Sequence, residues 1–170
     1  MPVIWVACAV VIIGAALRAR DSAWATRVGE LGVAVLYLVA GALVNTVYLI
    51  QGEDYSDFAD GSYLPFVRDT WASLVVPHHE LFIGLLVAFE LAVGLLALAG
   101  GRYAELGLLA AAGFHVALLA FGWWFYAWSL PVLAALVLLL RAERHDDAET
   151  ERAARRLEDV WAGRIRPRSR

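Results

Sequence analysis

The chain has 170 residues, of which 61% are hydrophobic, and a net charge of −3. Its charged residues are concentrated in a few segments between long apolar runs, which is typical of membrane proteins and not of soluble helical ones. A bilayer core about 30 Å thick requires roughly 20 apolar residues per helix, so the chain can hold about four or five spans and no soluble catalytic domain. Cys8 is the only cysteine, which excludes an intramolecular disulfide and a dithiol redox centre.

The apolar runs predict an all-α polytopic membrane protein. Its core is a four-helix transmembrane bundle at residues 29–140, and an extra N-terminal transmembrane helix precedes it at residues 1–17. Within the bundle, Leu31–Gln51 and His79–Ala99 are full-length runs, and the stretch from 103 to 140 is long enough for two short spans separated by a tight reversal at residues 121–123. The predicted domains are the helix at 1–17, the bundle at 29–141 with its outer loop at 52–77, and a tail at 142–170.

The arginines orient the predicted spans. All 14 basic residues are arginine, and all but Arg68 fall on one side of a five-span arrangement. Because basic residues are retained on the cytoplasmic side, we predict a multi-pass protein of the cell membrane with its N-terminus outside and its C-terminus in the cytoplasm. A signal peptide carries its positive charge before the apolar run, whereas Arg18 and Arg20 follow the first run, so cleavage of residues 1–25 is the weaker interpretation.

Three polar residues lie inside the predicted spans, namely Asn45, Glu90 and His115. Each shares a helical stripe with small residues, such as Gly94 for Glu90, so we expect all three to point into the bundle. At about 1.5 Å per residue, Glu90 lies near mid-membrane, where Tyr37 is the nearest candidate partner, and His115 is expected to pair with Asn45. These four residues are the candidates for ligand binding or a proton relay, with interhelical packing alone as the alternative.

A second set of candidate residues lies at the predicted outer interface. The set consists of His78, His79, Glu80, Trp123, Trp124 and Trp128. Its tryptophans are typical of the aromatic belt where a membrane meets water. Adjacent side chains on a helix point about 100° apart, so the His-His-Glu run lacks the spacing of a metal site, and no metal is predicted.

The outer loop carries Asp54, Asp57 and Asp60, followed by an apolar segment at 63–76 that contains Trp71. This pattern predicts a solvated acidic turn and then an interfacial or re-entrant segment. A calcium site at the aspartates is the second interpretation, although the EF-hand spacing is missing.

The C-terminal tail is predicted to be an arginine-rich amphipathic helix in the cytoplasm. Asp146 and Asp147 have the character of a helix cap, and Leu157, Val160 and Trp161 line part of one face. With four arginines between 164 and 170, the plain interpretation is a helix that lies on anionic lipid headgroups.

The third and fourth spans resemble the signature segment of a known family. Glu90 begins the sequence Glu-Leu-Ala-Val-Gly-Leu-Leu-Ala-Leu-Ala-Gly, and Arg102 and a helix of small residues follow it. Together with Pro77 before the span and Gly41 in the second span, this pattern is similar to the DoxX family of small membrane proteins. The chain departs from the family at Asn45 and the residue before it, where a basic residue often follows the glycine of the first family helix.

The resemblance covers residues 29–140 and implies a four-helix transmembrane bundle with a redox or quinone-linked role. Relatives in the family include the DoxD subunit of a thiosulfate to quinone oxidoreductase and the MauE maturation protein. Among the site residues, the resemblance carries over Glu90, Gly94 and Arg102. Because the family's basic residue is missing at Asn45, the resemblance does not support carrying over the family's substrate site.

Two hypotheses for the function follow. The first is a small accessory component of a redox or quinone-linked membrane system, whose intramembrane pocket binds a quinone or a lipid, since the chain encodes no cofactor of its own. The second is a scaffold or maturation factor that binds another membrane protein or an exported protein through the outer loop. The expected partners are the lipid bilayer, a redox or exported protein, and further copies of the chain in a homo-oligomer, but not nucleic acid. Enzymatic activity is left open.

The predicted topology can be tested with a cysteine at Asp57 and a reporter fused after Arg170. The cysteine should react with an impermeant thiol reagent from outside, Cys8 within the first span should stay unlabelled, and the reporter should lie in the cytoplasm. An outside tail combined with an outside Asp57 would mean that residues 103–140 cross the membrane once. An inside Asp57 with an outside tail would invert the orientation.

Overall fold

The computed structural model describes residues 2–162, apart from the side chains at 2, 146, 147, 149–151, 153 and 160. These residues contain no strand and form five apolar helices: α1 at Pro2–Ala16, α2 at Ala23–Ile50, α3 at Pro65–Ala99, α4 at Gly101–Phe121 and α5 at Trp123–Trp161. The last four are long and apolar enough to cross a membrane, whereas α1 is a shorter apolar helix. The predicted all-α polytopic membrane fold is therefore confirmed.

The helices α1 and α2 form an antiparallel pair. A short 3-10 turn at Ala19–Asp21 joins them, and the Ser22 hydroxyl accepts a hydrogen bond from the Ala25 N–H, which caps the start of α2. Their register is set at two points. Ile12 packs against Gly32, where an added Cβ would lie 2.9 Å from the isoleucine, and the Trp5 indole donates a 2.7 Å hydrogen bond to the Ala40 carbonyl.

The middle of α2 is a π-helix at Leu36–Leu43, flanked by α-helical turns at Ala23–Val35 and Val44–Ile50. An α-helix turns about 100° per residue, so Tyr37 and Asn45 would point about 80° apart in a regular helix. The π turn accommodates about one extra residue, which brings the two side chains to within roughly 20° of each other. Both therefore face the interior of the bundle.

The segment between α2 and the long apolar part of α3 forms a cap over one end of the bundle. It contains a 3-10 helix at Ser56–Ala59, and α3 itself begins at Pro65. Most of the predicted apolar segment at 63–76 therefore forms the first part of the third helix, and its interfacial or re-entrant position stays a prediction. A 3-10 turn at Val76–His78 interrupts the helix, because Pro77 has no backbone N–H to donate.

Two glycine turns reverse the chain between the last three helices. Gly100 and Gly101 have φ angles of 76° and 56° between α3 and α4, and Gly122 has a φ of 115° between α4 and α5. The predicted reversal at residues 121–123 is confirmed, since α4 ends at Phe121 and α5 begins at Trp123. Side chains from all five helices then share one hydrophobic core.

The C-terminal part of α5 continues the last span without a break. A separate helix beginning at Asp146–Asp147 was a wrong expectation, because the helical turns of α5 run through that point to Trp161. Leu157 and Trp161 are exposed, at 61% and 88%, so they do not pack on the bundle. The four arginines between 164 and 170 lie outside the described residues, and contact of this helix with lipid headgroups stays a prediction.

Close packing of α4 against α3 depends on Gly107. An added Cβ there would lie 3.0 Å from the Ala97 nitrogen and 3.1 Å from the Val93 carbonyl oxygen, which are backbone atoms and cannot rotate away. In the same helix, an added Cβ at Gly113 would meet nothing within 4 Å.

We therefore expect Gly107→Ala to lower the free energy of unfolding by about 1–3 kcal/mol, as overpacked core sites do. Gly113→Ala is the matched control and should be neutral or slightly stabilising, since alanine has the higher helix propensity. Unfolding of both variants by SDS titration in mixed micelles checks this. Equal stability of the two variants would contradict the close approach of α3 and α4.

Candidate functional site

A cavity of about 630 Å³ lies inside the bundle, beneath the cap. Its volume falls in the range of about 300–1,000 Å³ that is common for small-molecule sites. Most of its lining is aromatic or aliphatic. The polar lining side chains other than tryptophan are Tyr37, Asn45, Tyr55, Glu90 and His115. All four predicted intramembrane candidates therefore line one cavity, and Tyr55 joins them from the cap.

Glu90 pairs with Asn45 across the interface of α3 and α2. The Asn45 amide nitrogen donates hydrogen bonds of 3.1 and 2.9 Å to the two oxygens of the Glu90 carboxyl, which is 5% exposed. The predicted partner, Tyr37, is instead bonded elsewhere, with its hydroxyl donating to the Ala111 carbonyl at 3.3 Å. The expected pairing was wrong because it rested on estimated depth alone, which placed Glu90 level with Tyr37 and not with Asn45.

Gly41 provides the space for the Glu90 carboxyl. A Cβ at this position would lie 2.6 Å from Oε1 and 2.7 Å from Cδ of the glutamate. A larger residue would thus push the carboxyl away from α2 and from its partner Asn45. The glycine is required here by close approach and not by backbone conformation, since it lies within the π-helix.

Tyr55 in the cap fixes the orientation of the Asn45 side chain. Its hydroxyl donates to the Asn45 amide oxygen at 3.1 Å and to the Asn45 backbone carbonyl at 3.4 Å, so the amide nitrogen is directed at Glu90. Burial raises the pKa of Tyr55 to about 12, which keeps the hydroxyl protonated as a donor. Tyr55 has a left-handed backbone (φ 58°), a strained conformation that often marks functional positions.

His115 lies on the α4 side of the cavity. Its Nδ1 is 3.3 Å from the Ser129 hydroxyl of α5, and the side chain is 2% exposed. The predicted pairing with Asn45 is therefore wrong, since Nδ1 of the imidazole pairs with a buried serine on the neighbouring helix and the Asn45 amide pairs with Glu90. The rings of Tyr37 and Phe114 contact the imidazole edge-on, with centroids 6.5 and 6.1 Å away.

The cap closes its end of the cavity with stacked aromatic rings. Trp71 stacks on Phe58 with ring centroids 5.0 Å apart, and both contact Phe121 at the end of α4. The Trp71 indole also donates a 2.8 Å hydrogen bond to the Tyr55 carbonyl. These contacts connect the cap to the Asn45–Glu90 pair through a single residue, Tyr55.

The predicted outer-interface residues divide into two groups. Trp124 and Trp128 line the cavity, whereas Trp123 does not and is 60% exposed. His78, His79 and Glu80 lie away from the cavity lining, and His79 Nδ1 lies 3.0 Å from the Val76 carbonyl. Asp54 accepts a hydrogen bond from the Ser56 N–H, which lowers the pKa of its carboxyl and shapes the acidic turn. Among the side chains that the structure describes, no group of three from His, Cys, Asp or Glu could hold a metal ion.

Sequence reasoning missed a partly buried ion pair at the other end of the bundle. Glu30 is 2% exposed and accepts a 2.7 Å hydrogen bond from Arg27. The same guanidinium donates to the Leu98 carbonyl at 2.6 Å, so it also caps the C-terminus of α3. The spacing of three residues between Arg27 and Glu30 is the signal that could have identified the pair.

The fold and the cavity define an integral membrane helix bundle with a largely apolar cavity that a few polar side chains line. Comparison with family models, curated proteins and solved structures finds no match to this chain. The resemblance to the DoxX family accordingly stays a prediction from the sequence.

Proposed function

We propose that the protein is an accessory component of a redox or quinone-linked membrane system, in which its cavity binds a quinone or a similar lipid-soluble molecule. The observation that carries this proposal is that five polar side chains, four of them on α2, α3 and α4 and one on the cap, line one largely aromatic cavity. Ionisable and polar groups inside a membrane are costly and usually mark a functional site. The resemblance of the third and fourth spans to the DoxX family supports the same class of ligand.

The lining chemistry suits a flat ring that bears oxygen atoms. Ring carbonyls can accept hydrogen bonds from Nε2 of the His115 imidazole or from the Glu90 carboxyl when it is protonated, and the hydroxyls of a reduced ring can donate to the Glu90 oxygens. Aromatic walls favour stacked or edge-on contact with such a ring. The same site thus accommodates both oxidation states of a quinone.

The hypothesis of a ligand-binding cavity and the hypothesis of a scaffold depend on different residues. Trp71 is a poor test of a scaffold role, because it lines the cavity and supports Tyr55 as well as belonging to the outer loop. The exposed apolar side chains of the cap are instead Tyr63, Leu64 and Phe66. A scaffold that works through the cap would depend on those three residues and not on Glu90 or His115.

Binding of a quinone to the purified protein tests the proposal, with quenching of tryptophan fluorescence as the readout because Trp71, Trp124 and Trp128 line the cavity. We expect saturable quenching in the wild type and about tenfold weaker binding in Glu90→Met, since the hydrogen bond from the carboxyl to a ring carbonyl is lost. Glu80→Met is the matched control, because Glu80 is exposed and does not line the cavity. Absence of binding in the wild type, or unchanged binding in Glu90→Met, would contradict the proposal.

A further inference from the structure

The walls of the cavity differ in how tightly they are closed. Between α2 and α3, Gly41 packs against the Glu90 carboxyl, and Gly94 packs against Leu38 so closely that an added Cβ would overlap it. Between α3 and α4, Gly107 lies against the α3 backbone. Glycine contacts of this kind bring helix backbones together, so α2 and α3, and α3 and α4, are closely packed at these points.

The cap end is closed as well. The Ser62 hydroxyl donates a 2.6 Å hydrogen bond to the Ala120 carbonyl, and the Gly61 carbonyl lies directly against Gly122 in the turn between α4 and α5. Arg68 donates to the Ser62 carbonyl, which holds the cap on that turn. A ligand arriving from water at this end would have to displace the stacked rings of Trp71 and Phe58.

On the side between α1 and α5, large side chains line the cavity and also reach the surface. Trp5 and Val6 of α1 are 39% and 54% exposed, and Trp124 of α5 is 68% exposed. Further along, Ile12 of α1 and Leu139 of α5 are fully buried in the shared core, so the two helices are closed at that level. The opening therefore lies in the cap-side half of the bundle and faces lipid.

We propose that the ligand of this cavity has a polar head and a long apolar chain, and that the chain leaves the cavity between α1 and α5 into the surrounding lipid. This inference rests on the proposed function and adds the ligand's shape and the direction of its chain. The head would lie among Asn45, Glu90 and His115. The chain would pass Trp5 and Val6.

The composition of the opening supports an isoprenoid or acyl chain as its occupant. Its side chains are aromatic or aliphatic, and none of them is charged. Trp5 uses its indole N–H for the hydrogen bond to Ala40, so the ring is held in place with its apolar surface toward the passage. An apolar channel that faces lipid gives a hydrocarbon chain a continuous apolar environment, which a water-soluble ligand would not use.

A substitution at the opening tests this binding mode by equilibrium titration. The probes are a benzoquinone with a long isoprenoid tail and the same ring without a tail, and tryptophan quenching is measured in nanodiscs. Val6→Phe adds bulk at the opening and keeps the tryptophans unchanged. We expect it to weaken binding of the tailed quinone about tenfold while changing the affinity of the tail-less ring by less than about twofold.

Val10→Phe is the matched control, since Val10 lies one turn along the same face of α1, is 65% exposed and does not line the cavity. It should leave both affinities unchanged. Three results would contradict the proposed path of the chain but not the binding role of the cavity. Val6→Phe could weaken the binding of both probes equally, it could weaken the binding of neither, or the wild type could bind the tail-less ring alone. Binding of neither probe by the wild type would overturn the proposed function itself, and the chain path with it.

Discussion

The hydrogen-bonded pair of Asn45 and Glu90 is the interaction on which the arrangement of the site depends. A carboxyl in the interior of a membrane bundle is tolerated only with a partner, because burying it unpaired costs several kcal/mol. Asn45 satisfies both carboxyl oxygens at once. This requirement fixes α2 against α3, and Gly41 provides the space in which the two side chains meet.

From that pair, a chain of contacts extends outward to the cap. Tyr55 orients the Asn45 amide, the Trp71 indole is bonded to the Tyr55 carbonyl, and Trp71 stacks on Phe58. The cap is thus tied to the polar pair by directional hydrogen bonds as well as by apolar contact. A substitution of Asn45 or Glu90 should therefore alter the packing of the stacked Trp71 and Phe58 rings. A ligand in the cavity would contact both the polar pair and these rings.

Much of the fold could be predicted from the sequence, because apolar run length and glycine placement report directly on helices and turns. The four long helices, the reversal at Gly122 and the interior location of Glu90 and His115 were all accessible in this way. The hydrogen-bond partners of Glu90 and His115 could not be predicted. The π segment of α2 changes the face of the helix on which the residues after Tyr37 lie. No pattern in the apolar run of α2 indicates that change.

Two further features escaped prediction for related reasons. Tyr55 lies in a polar loop, where spacing gives no indication that its backbone is left-handed or that its side chain turns back into the bundle. Ser129 is fully buried beside His115, yet a lone serine in an apolar helix is too common to single out. Both contacts join segments that the fold brings together, so they could be identified only in the structure.

A double-mutant cycle on Asn45 and Glu90 tests the central role of the pair most directly. The free energy of unfolding in mixed micelles is measured for Asn45→Leu, Glu90→Met and the double variant. We predict a coupling energy of about 1–2 kcal/mol, at the upper end for hydrogen bonds between membrane helices, with Asn45→Leu alone the more damaging change because it leaves the carboxyl unpaired. Additive effects of the two substitutions, with no coupling between them, would contradict this account.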